Sequence, residues 1–392
     1  MKIVGQLKSS VAGLLQGTNL NYVTDLNGAL ERAARSLLQN ADIPEATERE
    51  SITLYNGVFD YAAPTKIFGS ALVDLRPQGI ARELDDGTYK KPIILFDRTK
   101  TITPSGYNVA FEWRQGIGRA RISSSKPQQK IVLDMMNVTT DWTASGDASG
   151  LAQDKTNFYQ SNASLRFNLA TSGTQGLLTK TLTTTKDLTD YEGVGVVFLA
   201  IRTPSASALT SIRLRLGSDS SNYFQVTSTT GFLGSWVADD WLLVAFDLSG
   251  ATETGTVDID DVDYIQLAFN YNGTAMTNFR VGGLFISLPS PSEFIYQTAA
   301  LFKASGQNPS QTITDDNDQI ILADPAYLLY EHEAALGIHL QNGGNITKGK
   351  GLDLWTLLHG KEGLYTKYQG DNPSQQLREI GRYNSGPRWP KI

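Results

Sequence analysis

Between about Lys130 and Leu288 the chain alternates short apolar runs with Gly, Ser, Thr and Asp turns, the pattern of an all-β block. Seven runs qualify as strands: 164–169, 195–201, 211–216, 223–227, 242–248, 264–269 and 279–286. In one of them Ile212, Leu214 and Leu216 alternate with Arg213 and Arg215, predicting one buried and one wet face. Residues 196–201 are apolar almost throughout, as in a strand covered on both faces. Many short strands with turn signals between them predict a sandwich or jelly roll.

The flanks read differently. Leu26, Ala29, Leu30, Ala33 and Leu37 recur at spacings of three and four, predicting a helix over 24–39 with Thr24 or Asp25 as its cap. Asn56-Gly57 between two alternating runs (51–55 and 58–61) predicts a hairpin. A second β region spans 93–122. After the block, Phe294 to Phe302 is extended or helical. A helix is expected from Pro325 to about Gln341 with Asp324 as cap, and another over 352–368 that Gly360 and Gly363 weaken. From Gly370 the chain is polar and irregular. The whole reads as an α+β multidomain protein: a mixed helix/β frame at 1–129 and 289–392, with a large all-β jelly-roll sandwich, 130–288, inserted in it.

Charge changes at the same borders. Residues 1–130 carry 17 Lys and Arg against 13 Asp and Glu, residues 131–292 carry 8 against 16, and residues 293–392 carry 9 against 11. The block is acidic, and the net charge of −6 argues against a sequence-specific nucleic-acid partner. With no cysteine, disulfides, thiolate metal sites and a cysteine nucleophile are excluded. The run 11–15 is too short for the apolar core of a signal peptide, and no stretch approaches eighteen apolar residues, so no membrane partner is expected.

The search for chemistry removes most catalytic readings. His332-Glu333-Ala334-Ala335-Leu336 has Leu336 where the zinc-protease pattern needs its second histidine. His332, His339 and Glu333 remain as a candidate metal set. Asp258, Asp260, Asp261 and Asp263 are candidate ligands for a structural calcium, though the run lacks the glycine and terminal glutamate of an EF-hand loop. Paired carboxylates on turns do not meet the facing geometry of glycoside hydrolysis. Catalytic residues are therefore expected to be absent, as is any cofactor beyond that calcium. The remaining surface chemistry is aromatic. Sugar-binding sandwiches stack pyranose faces on exposed rings, and Trp236, in a turn-like stretch, is the best exposed candidate. Tyr223, Asn222 and Asp219 complete the candidate glycan-binding set. Trp241 begins an apolar strand and is expected in the core.

Two resemblances follow. Ser164-Leu165-Arg166-Phe167, Asp187 to Tyr191, Leu216 to Phe224, Asp240 to Leu248 and Phe279-Arg280-Val281 make the block similar to carbohydrate-binding-module-like jelly rolls of the galactose-binding type, implying a surface glycan as partner. The flanks, with the helix at 24–39, Gly57 to Tyr61 leading to Pro64, and Tyr368 to Gln375, resemble head–tail connector or adaptor proteins of tailed phages. That resemblance implies a structural virion protein of the neck, assembled in the host cytoplasm. It would form a homo-oligomeric ring bound to a portal and to other neck or tail proteins, and display the sandwich outward. Leu30, Arg35, Tyr365, Tyr368 and Trp389 are the candidate subunit contacts. The alternatives are a carbohydrate-binding adhesion protein of the tail or baseplate, and a glycoside hydrolase.

Overall fold

The computed structural model describes residues 2–15, 23–41, 43, 46–64, 66–77, 93–94, 107–114, 117–124, 130–298 and 300–371. The chain divides into two compact units: residues 1–50, 64–75 and 293–392, and residues 51–63 and 76–292. The second unit thus interrupts the first in sequence. It also takes in 51–63 and 76–129, which the sequence reading placed in the frame.

The second unit is built on a β-sandwich of twelve strands: β1 (Lys130–Asp134), β2 (Thr143–Gly146), β3 (Ala148–Asp154), β4 (Ser164–Leu169), β5 (Gln175–Lys186), β6 (Val196–Arg202), β7 (Leu209–Gly217), β8 (Tyr223–Ser228), β9 (Leu242–Asp247), β10 (Thr252–Thr254), β11 (Val262–Tyr271) and β12 (Met276–Ser287). The first sheet has the order β3-β4-β12-β6-β9, with β1 also paired to β12; the second is β10-β8-β7-β11-β5-β2. All these pairings are antiparallel. From β4 onward the chain passes repeatedly from one sheet to the other, in the jelly-roll manner. Between the sheets lies one core, with Phe167, Phe269 and Phe279 at ring-centroid separations of 5.0 to 5.3 Å. In β12, Gly283 takes a left-handed φ of 66° at a register shift, and there the strand changes partner from β4 to β1.

All seven expected strands form. β1, β2, β3, β5 and β10 were not read from the sequence. The inward row of β5 is Leu178, Lys180 and Leu182, so a lysine interrupts its apolar pattern. Lys180 is buried beside Asp134, 2.8 Å away, and lies over the Trp142 ring. β6 is covered on both faces as expected: Val197, Leu199 and Ile201 face the core, and Phe198 packs on the far side against Tyr55, Phe232 and Phe285.

The expected hairpin at Asn56-Gly57 does not form. Thr47–Leu54 joins a sheet with Ser290–Thr298 and Ile67–Pro77, whereas Asp60–Ala62 pairs with Ile117–Ser124. Gly57 does turn the chain, at φ 88°, but the Tyr61 hydroxyl takes the Tyr55 amide hydrogen and bonds the carbonyls of Tyr55 and Val58. The ladder between the two runs is thereby replaced. Tyr107–Arg114 and Ile117–Ser124 do pair as a hairpin.

The first unit is helical at its core: α1 (Val4–Leu14), α2 (Leu26–Asn40), α3 (Asp324–Gln341), α4 (Gly349–His359) and α5 (Leu364–Asp371). α2 starts where expected, with the Asp25 carboxylate accepting from the Gly28 amide at 2.9 Å. α3 begins one residue before Pro325, so Ala323 and not Asp324 is its cap. The helix expected over 352–368 is two helices broken at Gly360 to Gly363. α1 was not anticipated: Gly5, Ser9, Ser10 and Gly13 are poor helix formers, and Val4, Leu7 and Val11 earn the helix by burial in the shared core. Among the described residues no helix is long and apolar enough to cross a membrane.

Candidate functional site

The outward faces of the sandwich carry its chemistry. On the second sheet, alternation puts Ile212, Leu214 and Leu216 into the core and turns Ser211, Arg213 and Arg215 of β7 outward. Strand register then sets three cross-strand rows. In the first, Arg215 lies between Gln225 of β8 and Gln266 of β11, with Thr179 of β5 beyond. Arg215 Nε donates to Gln225 Oε1 at 2.9 Å and Nη1 to Gln266 Oε1 at 3.3 Å. Gln266 Nε2 donates onward to Tyr264 Oη at 3.1 Å and to Thr179 Oγ1 at 3.4 Å. In the third row, Gln175 Nε2 donates to Asn270 Oδ1 at 2.7 Å, and Asn270 Nδ2 to Ser211 Oγ at 2.8 Å.

The middle row is different. Arg213 stands opposite Thr227 on one side and Ala268 on the other, with Leu177 opposite Ala268. None of these side chains offers the planar acceptor that Gln225 and Gln266 give Arg215. The Arg213 Nε is buried with no hydrogen-bond partner. Burial, and then the neighbouring Arg215 charge, lower the Arg213 pKa from its ordinary value. Burial likewise pushes the Tyr264 phenol up.

Tyr223, Asn222 and Asp219 are brought together at one end of this face, in roles other than those expected. Tyr223 is buried, and the Arg215 guanidinium covers its ring at 4.4 Å. Its exposed stacking face is therefore taken, and it acts as a support for Arg215. The Asp219 carboxylate accepts from the amides of Ser221 (2.6 Å) and Asn222 (3.1 Å) and from Asn222 Nδ2 (2.7 Å); the Asn222 amide group, then the Ser221 amide, hold its pKa below the usual range. Asn222 Oδ1 accepts from the Thr256 amide at 2.9 Å. Both side chains brace the turn from β7 to β8. Trp236 is half-buried and packs on the sandwich core.

The aromatic surface lies on the first sheet, where the sequence did not point. Trp241, expected in the core, is half-buried on the outward side. Its ring carbons lie 3.6 and 3.8 Å from where a Gly282 Cβ would be, so the ring packs over that position at ordinary contact distance. Tyr159 tilts against it at 5.9 Å. Asp60 and the 231–237 loop complete a small cleft. Nearby on the same sheet, burial pushes the Asp154 carboxyl up, but bonds from Thr156, Arg280 and the Asn157 amide outweigh it and hold it well below the usual range.

The other expected sites do not assemble. Asp258, Asp260 and Asp261 are exposed, and among the described residues no three His, Asp or Glu side chains converge to hold a metal ion. The Asp258 pKa is raised by its hydrogen bond to Asp260 and by that residue's charge; Asp263 is raised by burial, then by Asp261. In the helical unit, His332 Nδ1 bonds the Leu328 carbonyl one turn back at 2.9 Å. Glu333 is buried, accepting from Tyr365 Oη at 2.6 Å and Ser36 Oγ at 3.3 Å, with His359 Nε2 at 3.7 Å. The His332, His339 and Glu333 set is thereby dispersed. Glu333 floors a groove of about 840 Å³ between α2, α3 and α4, rimmed by Leu340, Ile346 and Trp355. Of the expected subunit contacts, Leu30, Tyr365 and Tyr368 are buried in the core of the helical unit, Arg35 is exposed, and Trp389 lies outside the described residues.

No protein-family model matches the chain, and no curated protein matches it. Among solved structures, the chain is similar to the family 30 carbohydrate-binding module of a cellulosomal cellulase of Clostridium thermocellum, at 16% identity and a TM-score of 0.33, over 40% of this chain and 96% of that one. It is similar to a family 11 carbohydrate-binding module of the same organism, in complex with a β-1,3-1,4-mixed-linked tetrasaccharide, at 13% identity and a TM-score of 0.30, over 41% and 96%. A third is the enzymatically active domain of tailspike protein 4 of bacteriophage CBA120, at 12% identity and a TM-score of 0.26, over 39% and 20%.

Proposed function

We propose that the sandwich recognises carbohydrate through the outward face of its second sheet, as the displayed module of an adhesion protein. One observation carries this reading: the row Gln225–Arg215–Gln266–Thr179, in which four strands each present a polar side chain and mutual hydrogen bonds fix their orientation. A sugar offers donors and acceptors around a rigid ring, and a platform oriented before binding loses little side-chain freedom in meeting them. The row contains no carboxylate, so the facing acid pair that glycoside hydrolysis needs is missing from it. The proposed activity is binding without turnover. Probing a glycan array with the full chain tests it: bound glycans, with signal reduced by Arg215→Ala, are expected, and an array on which nothing binds overturns it.

A second reading, a virion neck adaptor that forms a ring on a portal, has a different observation in its favour. The helical unit exposes Leu340, Ile346 and Trp355 around its groove, an apolar rim suited to contact between copies. Analytical ultracentrifugation decides: strictly monomeric protein at high concentration removes this reading and leaves the first untouched.

A further inference from the structure

The two arginines of the proposed face stand side by side on β7, among neutral side chains. Among the described residues, Arg280 pairs with Asp154 at 2.7 Å and Lys180 with Asp134 at 2.8 Å. Among the described residues no carboxylate lies within ion-pair distance of Arg213 or Arg215, and residues 131–292 hold 16 Asp and Glu against 8 Lys and Arg. Lys155, Arg166, Lys186 and Arg202 have no ion pair among the described residues either; what sets Arg213 and Arg215 apart is that they stand next to each other on one outward face with only neutral side chains beside them. They sit two residues apart on one strand, roughly 7 Å between Cβ atoms, and repel each other. Gln225 and Gln266 hold Arg215 through neutral amides, which orient the guanidinium without cancelling its charge. Arg213 is left with a buried, unsatisfied Nε, and Ala268 opposite it offers no acceptor.

Resting on the carbohydrate reading above, we infer that the ligand of this face is an acidic glycan, bearing carboxylates that Arg213 and Arg215 receive together. The guanidinium fork matches a carboxylate through two parallel N–H bonds, and such charge-assisted bonds are about twice as strong as neutral ones. Arg213 reads the charge, and Arg215, seated on Tyr223 and held by two glutamines, sets the position of the sugar ring beside it.

The test uses the full chain on an array of matched glycans: uronic-acid and sialic-acid polymers, the same polymers with carboxyls methyl-esterified, and neutral glycans. Arms bearing sulfate and phosphate esters are included. Binding to the carboxylate forms about tenfold tighter than to their esters is expected, and Arg213→Gln, with unchanged far-UV circular dichroism, should remove that preference. Equal binding of acids and esters, selection of neutral glycans, or preference for sulfate or phosphate esters overturns the inference and leaves carbohydrate binding standing. A preference that survives both Arg213→Gln and Arg215→Gln also overturns it. Failure to bind any glycan overturns both readings.

Discussion

The guanidinium carbon of Arg215 lies 4.4 Å from the centre of the Tyr223 ring, and its Nε donates to Gln225 on the same strand as that tyrosine. The ring thus supports a cation where an exposed aromatic would instead meet a sugar. A cation–π contact between a buried ring and a partly exposed guanidinium is worth about 0.5–1 kcal/mol. Tyr223→Leu should therefore weaken glycan binding about two- to fivefold by releasing Arg215, whereas Tyr223→Phe keeps the ring and should bind as the native chain does. Calorimetric titration of the two variants distinguishes this support from direct stacking, in which both sugar contact and hydroxyl would count.

The opposite sheet gives the complementary test. Trp241 rests on Gly282 and Tyr159 on the outward side of the first sheet. Trp241→Ala removes a large, half-buried ring, and a loss of about 2 kcal/mol in stability is expected by urea denaturation, below the range for fully buried tryptophans. Glycan affinity should stay within twofold of native. A loss of binding that far exceeds the loss of folded protein would move the sugar site to the Trp241 cleft.

What the sequence disclosed depended on whether side chains obeyed the period of their element. Ile212, Leu214 and Leu216 alternate with two arginines, so β7 and its outward face were legible. β5 was not, because Lys180 occupies an inward position whose partner, Asp134, is 46 residues away in sequence. The same kind of long-range relation hid the site. Nothing local distinguishes Gln225 or Gln266 from any surface glutamine; only the register of β7 with β8 and β11 places both beside Arg215. The exposure of Trp236 and Trp241 does not follow from their neighbours in sequence, since both rings end half-buried. Trp236 packs partly on the core, and Trp241 lies over Gly282 of β12 on the outer face.

The Lys180–Asp134 pair is the clearest stability determinant. Both side chains are about nine-tenths buried, at 10% and 12% exposure. Removing one partner leaves the other charge buried, which costs about 3–5 kcal/mol. Lys180→Ala should lower the midpoint of thermal unfolding of the full chain's sandwich transition accordingly, while Lys180→Met with Asp134→Asn should recover part of the loss. Differential scanning calorimetry of the three proteins measures both.

Acid stability has two contributions of opposite sign. In the folded chain Asp154 is held well below the usual carboxylate range, so its bonds to Thr156 and Arg280 stabilise the fold above an unfolded pKa of about 3.9 and fade as pH falls below it toward the depressed folded value. Asp258 is raised by Asp260, so the folded state binds its proton more tightly than the unfolded one does. Its contribution is fully present below the unfolded pKa and is lost as pH rises through the raised folded value; at neutral pH the charged pair is a liability. Asp154→Asn should therefore destabilise at pH 7, with the difference from native shrinking below pH 4. Asp258→Asn should raise the unfolding midpoint at pH 7 and lose that advantage in acid. Thermal unfolding of both variants between pH 3 and pH 7 reads the two slopes, and parallel curves for native and Asp258→Asn protein would refute the repulsion between Asp258 and Asp260.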